Sequence, residues 1–280
     1  MKLRIFEQEQ EKVKRRLTIA VVTALSAITS FSCSQNQDVL VTEIGVSPPS
    51  SRIAQTSPAG NLYVQGKNQH FQGDLQGAIA TYTKVIDVDP NYATAYKSRG
   101  LAYFDAGDKQ RAIADYNQAI NLAPDDAEAY NNRGNALSSL GENQRAIADY
   151  NQAIRLAPRY AEAYNNRGNA RAAQKDNNGA LDDYNQAISL DSRYAIAYNN
   201  RGNARAAQGD RQEAIADYNQ AIRLNSTFGP AYNNRGNARA AQGDREGALQ
   251  DLERAATIFQ EQNSNDLYQQ VMNNMREIGQ

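Results

Sequence analysis

The sequence predicts an all-α chain, a solenoid of six helix-turn-helix units of 34 residues followed by one C-terminal capping helix. Three observations predict it. The stretch AYNNRGNARAAQGD stands at residues 197–210 and again at 231–244, and a copy with Lys175 in place of Gly stands at 163–176. Tyr96, Tyr130, Tyr164, Tyr198 and Tyr232 keep the same 34-residue spacing, as do glycines from Gly66 to Gly236 and alanines from Ala78 to Ala248. Within each period, apolar residues fall at helical spacing on both sides of a Gly-Asp break. A fixed period of this size marks stacked supersecondary units that bury a continuous core only together.

The N-terminal segment is different material. Residues 1–16 are charged and mostly basic, and residues 17–31, LTIAVVTALSAITSF, form an apolar run of fifteen. That is short for a membrane span, which needs roughly 20 residues, and fits the apolar region of a secretory signal. The only cysteine, Cys33, follows the run after Ser32. This junction resembles a bacterial lipoprotein signal, which implies a signal peptide over 1–32 and lipidation of Cys33. Ser30 departs from that pattern, where an aliphatic residue is usual. Ordinary secretion and an uncleaved anchor are the alternatives. Residues 33–58 are rich in Ser, Gln, Thr and Pro and read as a flexible tether.

Six units then run 59–92, 93–126, 127–160, 161–194, 195–228 and 229–262. In each, an Ala-rich first helix stops at a glycine suited to a left-handed C-cap (Gly73, Gly107, Gly141, Gly209, Gly243). Asp74, Asp108, Asp176, Asp210 and Asp244 follow as N-caps of the second helix, and Asp210 with Glu213 has capping-box spacing. The second helix, AIADYNQAIRL, aligns Ala214, Ile215, Tyr218, Ala221, Ile222 and Leu224 on one face. Folding the two helices back about the turn places Gly202 and Arg201 level with Asp217 and Tyr218. The tail, 263–280, puts Leu267, Tyr268, Val271, Met272, Met275 and Ile278 on one face and is expected to cover the last unit.

With its aromatic, glycine and alanine positions in register over six units, the chain resembles the tetratricopeptide repeat family. The resemblance implies a right-handed α-solenoid whose first helices line a concave groove and whose partners are proteins or peptides. One departure is systematic: Arg99, Arg133, Arg167, Arg201 and Arg235 stand where the family usually has Leu. Each is matched sixteen residues on by Asp115, Asp149, Asp183, Asp217 and Asp251, whereas the first unit has Gln65 and Thr81 at the two places. This co-occurrence predicts an ion pair inside each hairpin. Arg171, Arg205 and Arg239 lack such a companion and are left to line the seam between units or to point at a ligand.

The candidate binding residues are asparagines of the first helices. Asn131, Asn165, Asn199 and Asn233 form one file, Asn132, Asn166, Asn200 and Asn234 a second, and Asn135, Asn169, Asn203 and Asn237 a third. Asn is a mediocre helix former, and its neutral carboxamide matches the N–H and C=O of an extended peptide. Members of the family grip peptide main chain with such a ladder, which implies the same role here. The alternative is duplication of one unit with harmless polar residues copied along. The second-helix asparagines Asn117, Asn151, Asn185 and Asn219 are expected to face solvent without a role. A carboxylate clamp needs several groove cations, and only Lys97 qualifies.

Composition narrows the function further. The whole chain carries a net charge of −1, and residues 1–32 hold six of the basic and three of the acidic side chains. The remainder has no basic stripe, so no nucleic-acid partner is expected. His70 is the single histidine, and neither a phosphate loop nor a Ser/His/Asp set is present, so no metal, cofactor or catalytic residue is predicted. The expectation is an exported scaffold, anchored by lipid on Cys33 at the bacterial cell envelope or its periplasmic side. It would bind a peptide segment or protein partner of unknown identity in its groove. A self-assembling spacer at the membrane, a homo-oligomer, is the alternative.

Overall fold

A computed structural model describes residues 57–279 of the chain, and every described element is a helix. The expected signal peptide, Cys33 and all but the end of the expected tether lie outside these residues. The helices are α1 (Pro58–Phe71), α2 (Leu75–Val88), α3 (Ala93–Asp105), α4 (Lys109–Leu122), α5 (Ala127–Ser139) and α6 (Asn143–Leu156). They continue as α7 (Ala161–Ala173), α8 (Asn177–Leu190), α9 (Ala195–Gln208), α10 (Arg211–Leu224), α11 (Gly229–Gln242), α12 (Arg245–Glu261) and α13 (Asn265–Gly279). None of them is long and apolar enough to cross a membrane.

The described residues fall into two compact units, 57–170 and 171–279. In the first, α1 packs on α2, α3 on α4 and α5 on α6, and each pair stacks on the next through its second helix. In the second, α9 packs on α10 and α11 on α12, with α8 stacked on α9 and α13 laid on α12. This is the expected all-α solenoid of paired helices.

The punctuation is chemical. Gly209 takes φ +95° just past α9, the left-handed conformation that glycine adopts without strain. Lys175 holds the same place after α7 at φ 66°, which for a residue with a Cβ costs about 1–2 kcal/mol. Asp74, Asp108, Asp176 and Asp244 cap the following helices, each accepting the N–H three residues on. Asp210 does not: its side chain makes no cap bond, so the capping box expected with Glu213 is absent. At the N-terminus α1 begins one residue before the expected first unit, at Pro58, with Ser57 as its cap.

The core is small and repeated. Ala78, Ala112 and Ala146 in the first unit, and Ala180, Ala214 and Ala248 in the second, are fully buried. Each of the first five second helices adds one buried tyrosine: Tyr82, Tyr116, Tyr150, Tyr184 and Tyr218. A Cβ placed on Gly202 would come within 2.6 Å of the Tyr218 ring, so this glycine is fixed by contact and not by backbone angle. At the C-terminal end Leu252, Ala255, Phe259 and Val271 form the closing cluster. Leu267, Tyr268, Met272, Met275 and Ile278 of α13 pack against it, as their shared face predicts.

Candidate functional site

The expected ion pairs form and go further than expected. Arg201 donates from Nε and Nη2 to the two carboxylate oxygens of Asp217, at 3.0 and 2.6 Å. Arg235 does the same to Asp251, at 2.9 and 2.5 Å. In the first unit Arg99 and Arg133 grip Asp115 and Asp149 with the same two-pronged geometry. The bonds to Asp115 and Asp149 hold the pKa of Arg99 and Arg133 above the ordinary arginine value, against the pull of burial. Each guanidinium also lies over the tyrosine three residues earlier, as Arg201 does over Tyr198 at 5.3 Å.

Two sequence readings are corrected at this point. Arg171, Arg205 and Arg239 neither line the seam alone nor await a ligand. Their Nη1 atoms donate to Asp183, Asp217 and Asp251 at 2.9, 2.7 and 2.8 Å. Asp217 and Asp251 therefore each accept from two arginines one helical turn apart. The second-helix asparagines are exposed but have work. Asn117 and Asn151 accept from Nη1 of Arg133 and Arg167, and Asn185 and Asn219 accept from Nη1 of Arg201 and Arg235, at 2.6–2.8 Å. These bonds join one helix pair to the next. Solvent exposure of the Asn side chain concealed this, because its partner comes from the neighbouring pair.

The asparagines of the first helices divide by depth. In the first unit Asn131 and Asn165 are buried, while Asn132, Asn135, Asn166 and Asn169 are half-buried. In the second, Asn199, Asn200, Asn203, Asn233 and Asn234 are buried and Asn237 is half-buried. The first file, Asn131, Asn165, Asn199 and Asn233, thus lies beneath the surface, where it cannot offer an amide to a ligand without opening the structure.

What these amides do is bond one another. Asn166 donates to the carboxamide oxygen of Asn131 at 3.1 Å, and Asn131 donates to Glu162 at 3.1 Å. Asn234 donates to Asn199 at 3.0 Å and to Asn203 at 2.9 Å. Tyr150 and Tyr218 donate their hydroxyls to Asn135 and Asn203. From α13, Asn274 donates to Asn233 and Asn237. No described buried side-chain nitrogen or oxygen is left without a partner. The physical reason is register: positions five and six of each first helix face the neighbouring first helix, which sequence spacing alone did not reveal.

Lys97, the one cation of the groove positions, is held by Asp126 at 2.8 Å and Glu128 at 2.6 Å. Burial lowers its pKa, but Glu128 and Asp126 raise it further, so the net shift is upward and the ammonium is stabilised.

A stack of two-helix units with a short left-handed turn, a tyrosine-alanine core and amide seams is a helical-repeat scaffold. The chain belongs to the tetratricopeptide repeat family: models described as "TPR repeat" match residues 60–107, 100–141, 134–175 and 168–209, and one described as "Tetratricopeptide repeat" matches 195–228. No curated protein matches the chain. Among solved structures, MamA is 31% identical over 57% of this chain and 94% of its own, with a TM-score of 0.52. A tetratricopeptide repeat protein from Parabacteroides merdae matches 93% of this chain and 99% of its own at 20% identity, with a TM-score of 0.64. PilW, described as a widely conserved type IV pilus biogenesis factor, matches 76% of this chain and 98% of its own at 17% identity, with a TM-score of 0.67. The last two show the fold alone. The chain is a protein-protein interaction scaffold by its family.

Proposed function

We propose that this scaffold holds a segment of a protein partner along the face of its first helices, through neutral amide contacts to the partner's main chain. The observation that carries the reading is the division of the asparagines by depth. The buried ones are bonded within the protein, to neighbouring asparagines and to Glu162, Tyr218 and Asn274. Asn132 and Asn169 stay half-buried on the first helices and keep part of their surface at solvent. A half-buried amide in a partly dry setting is well placed to exchange water for a peptide group. Removing two such contacts by Asn132→Ala with Asn169→Ala should cost about 0.5–1.5 kcal/mol each. Partner binding should then weaken about five- to hundred-fold. The partner is first identified by crosslinking and mass spectrometry on native membranes, and binding is then measured with variants whose thermal transition shows them folded. Undiminished binding by the double variant would remove the reading.

The second part of the proposal is the anchor. Cys33 stands one residue beyond an apolar run of fifteen residues, and this supports lipidation at the cell envelope with the repeats displayed beyond it. Serine cannot form the thioether, so Cys33→Ser should move the protein from the membrane fraction to the soluble one. Because a single acyl chain binds a bilayer only marginally and two or more hold firmly, the unaltered protein should resist a high-salt wash. Retention of Cys33→Ser in the membrane pellet would instead indicate an uncleaved apolar segment.

A further inference from the structure

We propose that Asn178 is a modification site of this chain, an asparagine that water converts to aspartate and isoaspartate whenever the first turn of α8 opens. It is the only asparagine followed by glycine. In the reaction the backbone nitrogen of Gly179 loses its proton and forms a bond to Cγ of Asn178. The bond from Cγ to the side-chain nitrogen breaks, and that nitrogen takes up the proton and leaves as ammonia. Water then opens the resulting cyclic imide on one side or the other. One opening gives aspartate in the original main chain, and the other gives isoaspartate, with an extra methylene in the main chain. A Cβ on the following residue would crowd the attack, and Gly179 has none. Asn178 is exposed, so water reaches it.

The folded turn holds this reaction back. Ring closure needs the Gly179 nitrogen to eclipse Cβ of Asn178 about the Cα–C bond, and a helical ψ of about −42° keeps the two apart. The N–H that must be given up is also in use. It belongs to the first turn, which has no helical carbonyl behind it, and it donates to Oδ1 of Asp176 at 3.0 Å. The rate is therefore set by how often this turn opens. Two features favour opening. Lys175 stands at φ 66°, where the other five turns inside helix pairs have glycine. And α8 starts Asn177-Asn178-Gly179 where α10 starts Arg211-Gln212-Glu213, so its first turn is built from poorer helix formers. The two products then differ in effect. Asn178 accepts from Nε2 of Gln208 at 2.8 Å, a link from α8 to the end of α9. Aspartate keeps that acceptor and adds a negative charge to the first turn of a helix, where it is favourable. Isoaspartate lengthens the main chain between the Asp176 cap and Gly179 and cannot keep both bonds.

The test is to hold the full chain at mildly alkaline pH, where the backbone proton is lost more readily, and to follow every asparagine by peptide mass spectrometry. Enzymatic methylation of isoaspartate separates the two products. Asn178 should convert before every other described asparagine. Lys175→Gly should slow its conversion several-fold, and Asp176→Ala should speed it several-fold, with the helical circular dichroism unchanged. Because Lys175→Gly relieves strain, it tests the gate without risk to the fold. Asn178→Asp should melt no lower than the unaltered chain, whereas the isoaspartate form should melt lower. Two results overturn the proposal. Asn178 stays intact while other asparagines convert. Or it converts at a rate that neither Lys175→Gly nor Asp176→Ala changes, so that the turn does not gate it. The readout needs no partner and is independent of the groove reading.

Discussion

Asp217→Ala should destabilise the protein by about 3–5 kcal/mol, the cost of breaking a buried ion pair from one side. Asp217 has only 4% of its side chain exposed and is the acceptor for both Arg201 and Arg205. Its removal strands two guanidiniums, one of them 16% exposed and the other 28%. The reverse change is milder. In Arg201→Leu the carboxylate keeps Arg205, and leucine is the residue the family usually has at that place. Urea titration of both variants should give a clearly smaller loss for Arg201→Leu. Equal losses would show that Arg205 does not hold Asp217 in solution, and that the second bond at 2.7 Å contributes nothing.

Tyr218→Ala is the second large effect, about 3–5 kcal/mol, from lost apolar burial and from the cavity left behind. Tyr218 is 2% exposed, and its ring fills the space against Gly202 that a Cβ would otherwise occupy. Tyr218→Phe separates the ring from the hydroxyl. The phenol donates to Asn203 at 2.9 Å, and burial, with the charge of Asp217 second, pushes its pKa far up, so it stays a neutral donor at every working pH. Losing that one bond should cost about 0.5–1.5 kcal/mol. The check is the midpoint of thermal or urea unfolding across the three proteins. A Phe variant as damaged as the Ala variant would mean that the hydroxyl network, and not ring packing, holds the helix pair.

The fold was legible because its determinants are local and repeated. Glycines such as Gly209 mark the turns, Asp244 and its equivalents cap, and tyrosine and alanine fall on one face of each second helix. The pairing of Arg201 with Asp217 was legible too, since both partners lie in one hairpin whose turn fixes their level. Contacts between neighbouring pairs were not. Asn219 looked like a bystander because its partner, Arg235, belongs to the next pair, and no sequence periodicity says which side of a helix meets a neighbour. The same gap misplaced Asn199 and Asn233, which read as groove residues and are only 3% exposed. Arg239 was misjudged for another reason. Asp251 had already been assigned to Arg235, and a carboxylate was counted as serving one arginine when it can accept from two.

The joints between helix pairs have a consequence for how such an array can grow. Arg201 reaches sixteen residues forward to Asp217 and sixteen residues back to Asn185, and Arg235 repeats both reaches to Asp251 and Asn219. A 34-residue copy therefore carries, in its own sequence, the arginine for the joint behind it and the asparagine for the joint ahead. A unit inserted by tandem duplication meets a matching half-joint on each side and leaves no polar group orphaned at either. The identical stretches at 197–210 and 231–244 carry the same arginine into successive joints, so a further copy of such a unit would meet the same partners behind it and ahead of it.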